Sequence, residues 1–345
     1  MTPEPEYLPP IAPPVRESSG RGAQQDRESG RFGERDGYAE SENYVVSSPE
    51  APIFEPEPQQ LGGHGYFAVP GFYNLGHRPE RIRLTPNFGH AAIFFLLAFL
   101  LMATGEGLSI WMGKSLHLFG NASWTELATD ARLSVPTQAL EYSAIFGFSA
   151  LLFGMLWHRP FLEGIHWNWR AARRYFYLLL AIGVAVGFAV GLGGDFLPMP
   201  KDAPIVQDMM NTAAGAWLMF FFSFTGAPLM EELAFRGFLM PSLINSFRWM
   251  NDRGWLPASA VNWIGVPFSI LITSLCFAML HGPQVSHSWG PILLIGVVSV
   301  VLCLVRLRLD SVLASAVVHG AYNLTLFAGM LVTTDAFRHL ERLKN

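Results

Sequence analysis

Charge is scarce in this chain. Asp, Glu, Lys and Arg make up 14% of its 345 residues and hydrophobic residues 51%, whereas an ordinary soluble domain carries about 25% charged residues. The deficit is deeper than the average suggests, because 13 of the 27 acids and 8 of the 23 bases fall within residues 1–88. Residues 89–345 are therefore mostly uncharged and point to a bilayer. Cysteine is nearly absent: Cys276 and Cys303 both lie in apolar runs, match no disulfide framework or CxxC pattern, and are expected to be core residues. There is no excess of base, since the net charge is −4, so no nucleic-acid partner is expected. Also missing are HExxH, GxSxG and paired intramembrane aspartates, which counts against a serine or aspartic route to hydrolysis.

Residues 1–85 are rich in Pro, Glu, Gly, Ser and Arg ("PEPEYLPPIAPP", "EPEPQQLGG"), a composition that buries too little apolar surface to offset its ordering entropy. A disordered tail is expected there, and not a signal peptide, because the first long apolar run begins only near Gly89. Beyond it lie seven apolar stretches near the ~20 residues that cross a bilayer: Gly89 to Trp111, Ala139 to Trp157, Tyr175 to Gly194, Ala213 to Met230 or beyond, Val261 to Leu280, Pro291 to Val305, and Ser311 to Val332. The expected fold is an all-α polytopic bundle of seven or eight spans, the fourth being one long helix reaching Phe247 or two pieces.

Basic residues orient the spans. Arg78, Arg81, Arg83, Arg159, Arg170, Arg173, Arg174, Arg248, Arg253, Arg306 and Arg308 fall in one set of alternate loops, and only Lys114, Arg132 and Lys201 in the other. The N-terminus is thus assigned to the cytoplasm of a plasma (inner) membrane. Seven spans leave Arg338, Arg342 and Lys344 outside, a conflict that an eighth span or a re-entrant piece would remove. Trp167 and Trp169 in "IHWNWR" fit an interfacial aromatic belt.

Against this apolar background "MEELAFRGFL" stands out, with Glu231, Glu232 and Arg236. At about 2.5–3.5 kcal/mol each on insertion scales, the three together cost on the order of 8–10 kcal/mol in a membrane helix. Glu232 and Arg236 are four apart, in the favourable acid-first order, and can neutralise each other. Glu231 lies about 100° round the helix and has no partner there. Two later runs hold further pairs: Phe277 and His281 in "FAMLH", His319 and Asn323 in "HGAYN", each sharing a helix face. Single polar residues of this kind often only join helices, but the combination has what hydrolysis needs. A desolvated glutamate can take a proton from water, a histidine can position that water, and a second histidine with an asparagine can stabilise an oxyanion. Glu231, His281 and His319 equally form a two-His, one-Glu zinc set.

"EELAFRG", "FAMLH" and "HGAYN" resemble the EExxxR, FxxxH and HxxxN motifs of the CPBP family, the CAAX proteases and bacteriocin-processing enzymes that include the type II CAAX prenyl endopeptidase. The three occur in the family's order, and the resemblance covers roughly Ile205 to Phe327. The resemblance implies an intramembrane endopeptidase with a polar cavity inside the bilayer, organised as an N-terminal tail (1–85), N-terminal transmembrane helices (86–204), a protease core (205–330) and a C-terminal tail (331–345). By the same resemblance Glu231 activates water with His281, His319 and Asn323 form the oxyanion site, Glu232 and Arg236 support it, and Phe277 shapes the cavity. The family is described both as metal-independent glutamic proteases and as metalloproteases. The residues allow either; the glutamic mechanism without cofactor is preferred, with zinc on Glu231, His281 and His319 as the alternative. The implied partners are the lipid bilayer and a peptide or protein substrate, lipid-modified tails among them. A non-catalytic scaffold or bacteriocin self-immunity protein of the same fold is the competing reading. The topology carries one mismatch: Glu231 lies toward the cytoplasmic end of its run, His319 in mid-membrane and His281 near the outer end. Convergence requires the fourth helix to continue past Arg236 or the fifth to sit lower.

Overall fold

The computed structural model describes residues 85–200 and 204–343, and every regular element among them is helical. The tail expected over 1–85 lies, but for Thr85, outside the described residues. Seven helices are long and apolar enough to cross a bilayer: α1 (Phe88–Ser115), α2 (Ala131–Trp157), α3 (Phe176–Gly194), α4 (Ala213–Asp252), α5 (Ala258–Leu280), α6 (Trp289–Leu309) and α7 (Val312–Thr333). Helices suit such runs because each satisfies its backbone polar groups internally, which lipid cannot do. Each expected apolar stretch falls on one of them, and there is no eighth among the described residues. The C-terminal segment instead folds back beside the start of α4, where Phe337, 1% exposed, packs on Trp217 and Phe220. Arg338 and Arg342 stay at that end, the first beside Asp335 (3.7 Å) and the second donating to the Thr333 carbonyl (3.3 Å).

Two of the four buried apolar clusters among the described residues position the site. Phe94 of α1, Phe153 and Trp157 of α2 and Phe238 of α4 form the first, with Phe94 stacked on Phe238 at 4.2 Å between ring centroids. Leu179 of α3, Leu302 of α6 and Val318 of α7 belong to the second. There α3 and α7 run parallel at close range. A Cβ on Gly183 would lie 2.5 Å from both Ala321 Cβ and the Val318 carbonyl oxygen, and one on Gly187 would lie 2.7 Å from Thr325. This small-residue seam sets the depth of α7, and with it His319 and Asn323. Cys303 is buried as expected, but Cys276 is exposed, so the expectation of a core role fails there. An apolar residue on the outer face of a membrane bundle meets lipid rather than protein, so hydrophobicity alone does not place it inside.

The fourth helix is the least regular. Its 40 residues would span about 60 Å at 1.5 Å per residue, twice the ~30 Å hydrocarbon core. The backbone breaks direction at Thr225 (φ −116°, ψ −86°), just before Gly226 and Pro228, and Gly320 of α7 packs against the Phe224 carbonyl at that break. After Gly226–Glu232 the helix widens into a π segment, Leu233–Leu239, before returning to α geometry over Met240–Asp252. Because α4 continues well past Arg236, Glu231 sits near its middle rather than at an end, which removes the depth mismatch.

Candidate active site

The three motifs meet around Glu231. Glu232 and Arg236 come first, because they are the more deeply placed: both side chains are fully buried, and Glu232 Oε1 accepts from an Arg236 terminal nitrogen at 2.8 Å. The i, i+4 pairing expected from spacing is therefore present, even though the π segment runs through it. The other terminal nitrogen of Arg236 donates to Ser299 of α6, at 2.9 Å to its carbonyl and 2.6 Å to its hydroxyl, and the guanidinium lies 4.8 Å over the Phe277 ring. The ion partner, hydroxyl, carbonyl and aromatic face compensate most of this buried cation, while its Nε has no hydrogen-bond partner.

Glu232 Oε1 is also 3.0 Å from His319 Nδ1. A carboxylate fixed by an arginine is an acceptor, so Nδ1 carries the proton and the Nε2 lone pair of His319 points the other way. It points toward Glu231, whose Oε2 is 3.7 Å off. His281 is oriented by the same logic. It forms the C-terminal cap of α5, where its Nδ1 is 2.8 Å from the Phe277 carbonyl oxygen. A carbonyl can only accept, so Nδ1 again donates, and the His281 Nε2 lone pair faces Glu231 Oε2 at 3.9 Å. Glu231, with its side chain 23% exposed, has an Oε2 without a hydrogen-bond partner. Three lone pairs thus converge on one small volume.

Such a set accepts protons or a cation. A water or hydronium proton satisfies it by donating to the carboxylate and a ring nitrogen. For zinc, two ligands at roughly 2.05 Å in tetrahedral array sit about 3.4 Å apart, closer than the 3.7 and 3.9 Å found for Glu231 with the two histidines. Among the described residues, no group of three or more His, Cys, Asp or Glu side chains is arranged to hold a metal ion. The two Glu231–histidine separations are thus wider than those of a closed tetrahedral zinc site.

Asn323, one turn beyond His319, donates through Nδ2 to the Ser223 carbonyl at 2.7 Å. That contact sits beside the Thr225 break and ties α7 to the broken part of α4. Its amide is thus oriented, but no contact of Asn323 with Glu231 or either histidine is present among the described residues. Phe277, 2% exposed, packs edge-on to Phe235 and His319 at 5.1 and 5.7 Å between centroids and forms a wall of the site.

Several participants carry no motif. Ser299 and Arg306 of α6 grip the Arg236 region. Tyr142 of α2 lines a cavity of about 560 Å³ with Phe146, Phe222, Leu229, Met230 and Leu233. Its neighbour Glu141 is 7% exposed, has an Oε1 without a hydrogen-bond partner and packs on Gly105 of α1. Glu141 is readable in the same way as Glu231, as an acid inside an apolar run.

No curated protein and no solved structure matches the chain. A family model does: residues 213–325, from the start of α4 to two residues past Asn323, match the model described as type II CAAX prenyl endopeptidase Rce1-like. The converging glutamate and histidines all lie in that stretch, so the part of this integral, multi-pass membrane protein that carries them is the part that is similar to the Rce1-like family model.

Proposed function

We propose that this chain is an intramembrane endopeptidase in which Glu231 activates the attacking water. The observation that carries the reading is the convergence of the Glu231 carboxylate with two histidine Nε2 atoms, each ring fixed from behind at Nδ1. Water held between Glu231 and His281 loses a proton to Glu231 as it attacks the peptide carbonyl. His319 donates to the oxyanion from Nε2 only when both its nitrogens carry protons, and the Glu232 carboxylate behind it supports that imidazolium. Asn323 adds an amide donor for the oxyanion through the Nδ2 hydrogen that it does not give to Ser223. Glu231 then returns the proton to the departing amine. The substrates proposed are membrane-associated protein tails, lipid-modified C-termini among them.

The test is cleavage of lipidated-tail peptides or a membrane-protein library by the purified chain in lipid. Glu231→Gln, nearly isosteric, is expected to abolish cleavage while leaving the melting temperature close to wild type, and a chelator is expected to leave wild-type activity intact. Cleavage that survives Glu231→Gln overturns the assignment; cleavage lost to chelator and restored by zinc replaces it with a metal mechanism.

A further inference from the structure

The π segment of α4 creates a backbone defect next to the catalytic motif. Within it, the Met240 N–H donates to the Phe235 carbonyl, five residues back. The next bond in that register would run from residue 241 to the Arg236 carbonyl, and residue 241 is a proline, which has no N–H to give. The α-helical donor to the same carbonyl would be Met240, which is committed to Phe235. The Arg236 carbonyl is thus left without a helical donor in a residue that is 0% exposed, a place where an unsatisfied carbonyl is destabilising.

Arg306 supplies the donor. Its Nε lies 3.3 Å from the Arg236 carbonyl oxygen. The sequence places it among the loop bases, yet it is 4% exposed. The rest of its guanidinium is anchored by Asp310 one turn on, at 2.8 Å. Asp310 in turn bonds His166 Nδ1 at 2.8 Å, and the backbone carbonyl of His166 takes the Val312 N–H at 3.0 Å. The fork is therefore built into the α6–α7 turn and fixed before it meets α4.

Register matters here because a π segment inserts about one residue into the helix, which turns the part before it by roughly 100° relative to the part after it. Glu231 and Glu232 lie immediately before it and Pro241 immediately after. We infer that Arg306 is a positioning residue that holds the π register of α4, and through it the aim of Glu231 and Glu232, by closing the backbone carbonyl that Pro241 leaves open. This rests on the reading of Glu231 as the base.

The test is a double-mutant cycle on the full chain in lipid, read by kcat, KM and melting temperature. Arg306→Met is expected to lower kcat about 10- to 100-fold with KM changed by less than about twofold, and to lower the melting temperature. Pro241→Ala gives residue 241 an N–H that can close the Arg236 carbonyl in the same register, and alone it is expected to keep kcat within about threefold of wild type. In that background Arg306→Met is expected to cost less than about threefold. Asp310→Asn, which weakens the ion pair but keeps Nε, is expected to cost as little. Equal losses from Arg306→Met in both backgrounds, no loss at all, or inactivation by Pro241→Ala alone overturn the inference. Should the wild type cleave nothing, the catalytic reading falls, and the melting temperatures decide this one separately: a smaller Arg306→Met penalty in the Pro241→Ala background supports it, and additive penalties refute it.

Discussion

Glu232 holds His319 by its Nδ1 at 3.0 Å, and this contact turns the other ring nitrogen toward Glu231, 3.7 Å away. Two glutamates adjacent in sequence are thereby joined through one imidazole, with different tasks. Glu232→Gln keeps an acceptor for Nδ1 but removes the charge that supports an imidazolium and that offsets Arg236. The expected outcome is a kcat lower by about 10²–10³-fold, as for loss of an oxyanion donor. A stability loss of about 3–5 kcal/mol is also expected, because a buried cation is left unpaired. Steady-state cleavage and chemical unfolding on the same preparation check both.

Phe277 carries the packing of the site. Phe277→Ala removes a ring buried against Arg236, Phe235 and His319, and is expected to cost about 3–5 kcal/mol with a fall in activity. Phe277→Leu, which refills much of the volume but offers no ring face to Arg236, is expected to recover most of the stability. Thermal unfolding of the two variants side by side provides the measurement.

Gly183→Leu tests the α3–α7 seam. Its Cβ would sit 2.5 Å from the Val318 carbonyl oxygen, which is backbone and cannot rotate away, so the helices must separate. A loss of about 1–3 kcal/mol or more is expected. Activity is expected to fall as well, since α7 carries His319 and Asn323. Gly191→Leu on the same helix, where an added Cβ meets nothing within 4 Å, is expected to leave both unchanged.

Outside the spans, burial pushes the Asp310 carboxyl up, but the His166 hydrogen bond and the Arg306 guanidinium outweigh it and hold the group well below the usual carboxylate range. A depressed folded-state pKa gives stability that is present above the unfolded value, about 4, and is lost as pH falls below it. Melting temperature is therefore expected to drop between about pH 5 and pH 2, and Asp310→Asn to flatten that part of the profile.

The seven helices and the three motifs were legible because both signals are local: apolar length gives the spans, and a charge inside such a run demands a reason. The partners of those charges were not. Arg306 reads as an ordinary base at a helix end, where long cationic side chains usually reach for the interface. Its burial follows from an orphaned carbonyl seventy residues earlier, which exists only because α4 shifts to π spacing, and hydropathy does not record that shift. The break at Thr225 is hidden for the same reason. The Ser299 contact with Arg236 depends on which face α6 turns to α4, and a uniformly apolar helix hides its orientation. The convergence of Glu231 with His281 needed the length of α4 past Arg236, which the apolar run alone left undecided.

The cavity lined by Tyr142, Met230 and Leu233 opens on the flank of the bundle, where Phe146 and Leu229 on its rim are exposed at the level of the spanning helices. A substrate dissolved in the bilayer would find it by a two-dimensional search. Its velocity would then follow substrate per lipid rather than substrate per litre. Diluting a fixed amount of enzyme and substrate with empty lipid should slow cleavage, and diluting the same vesicles with buffer should not.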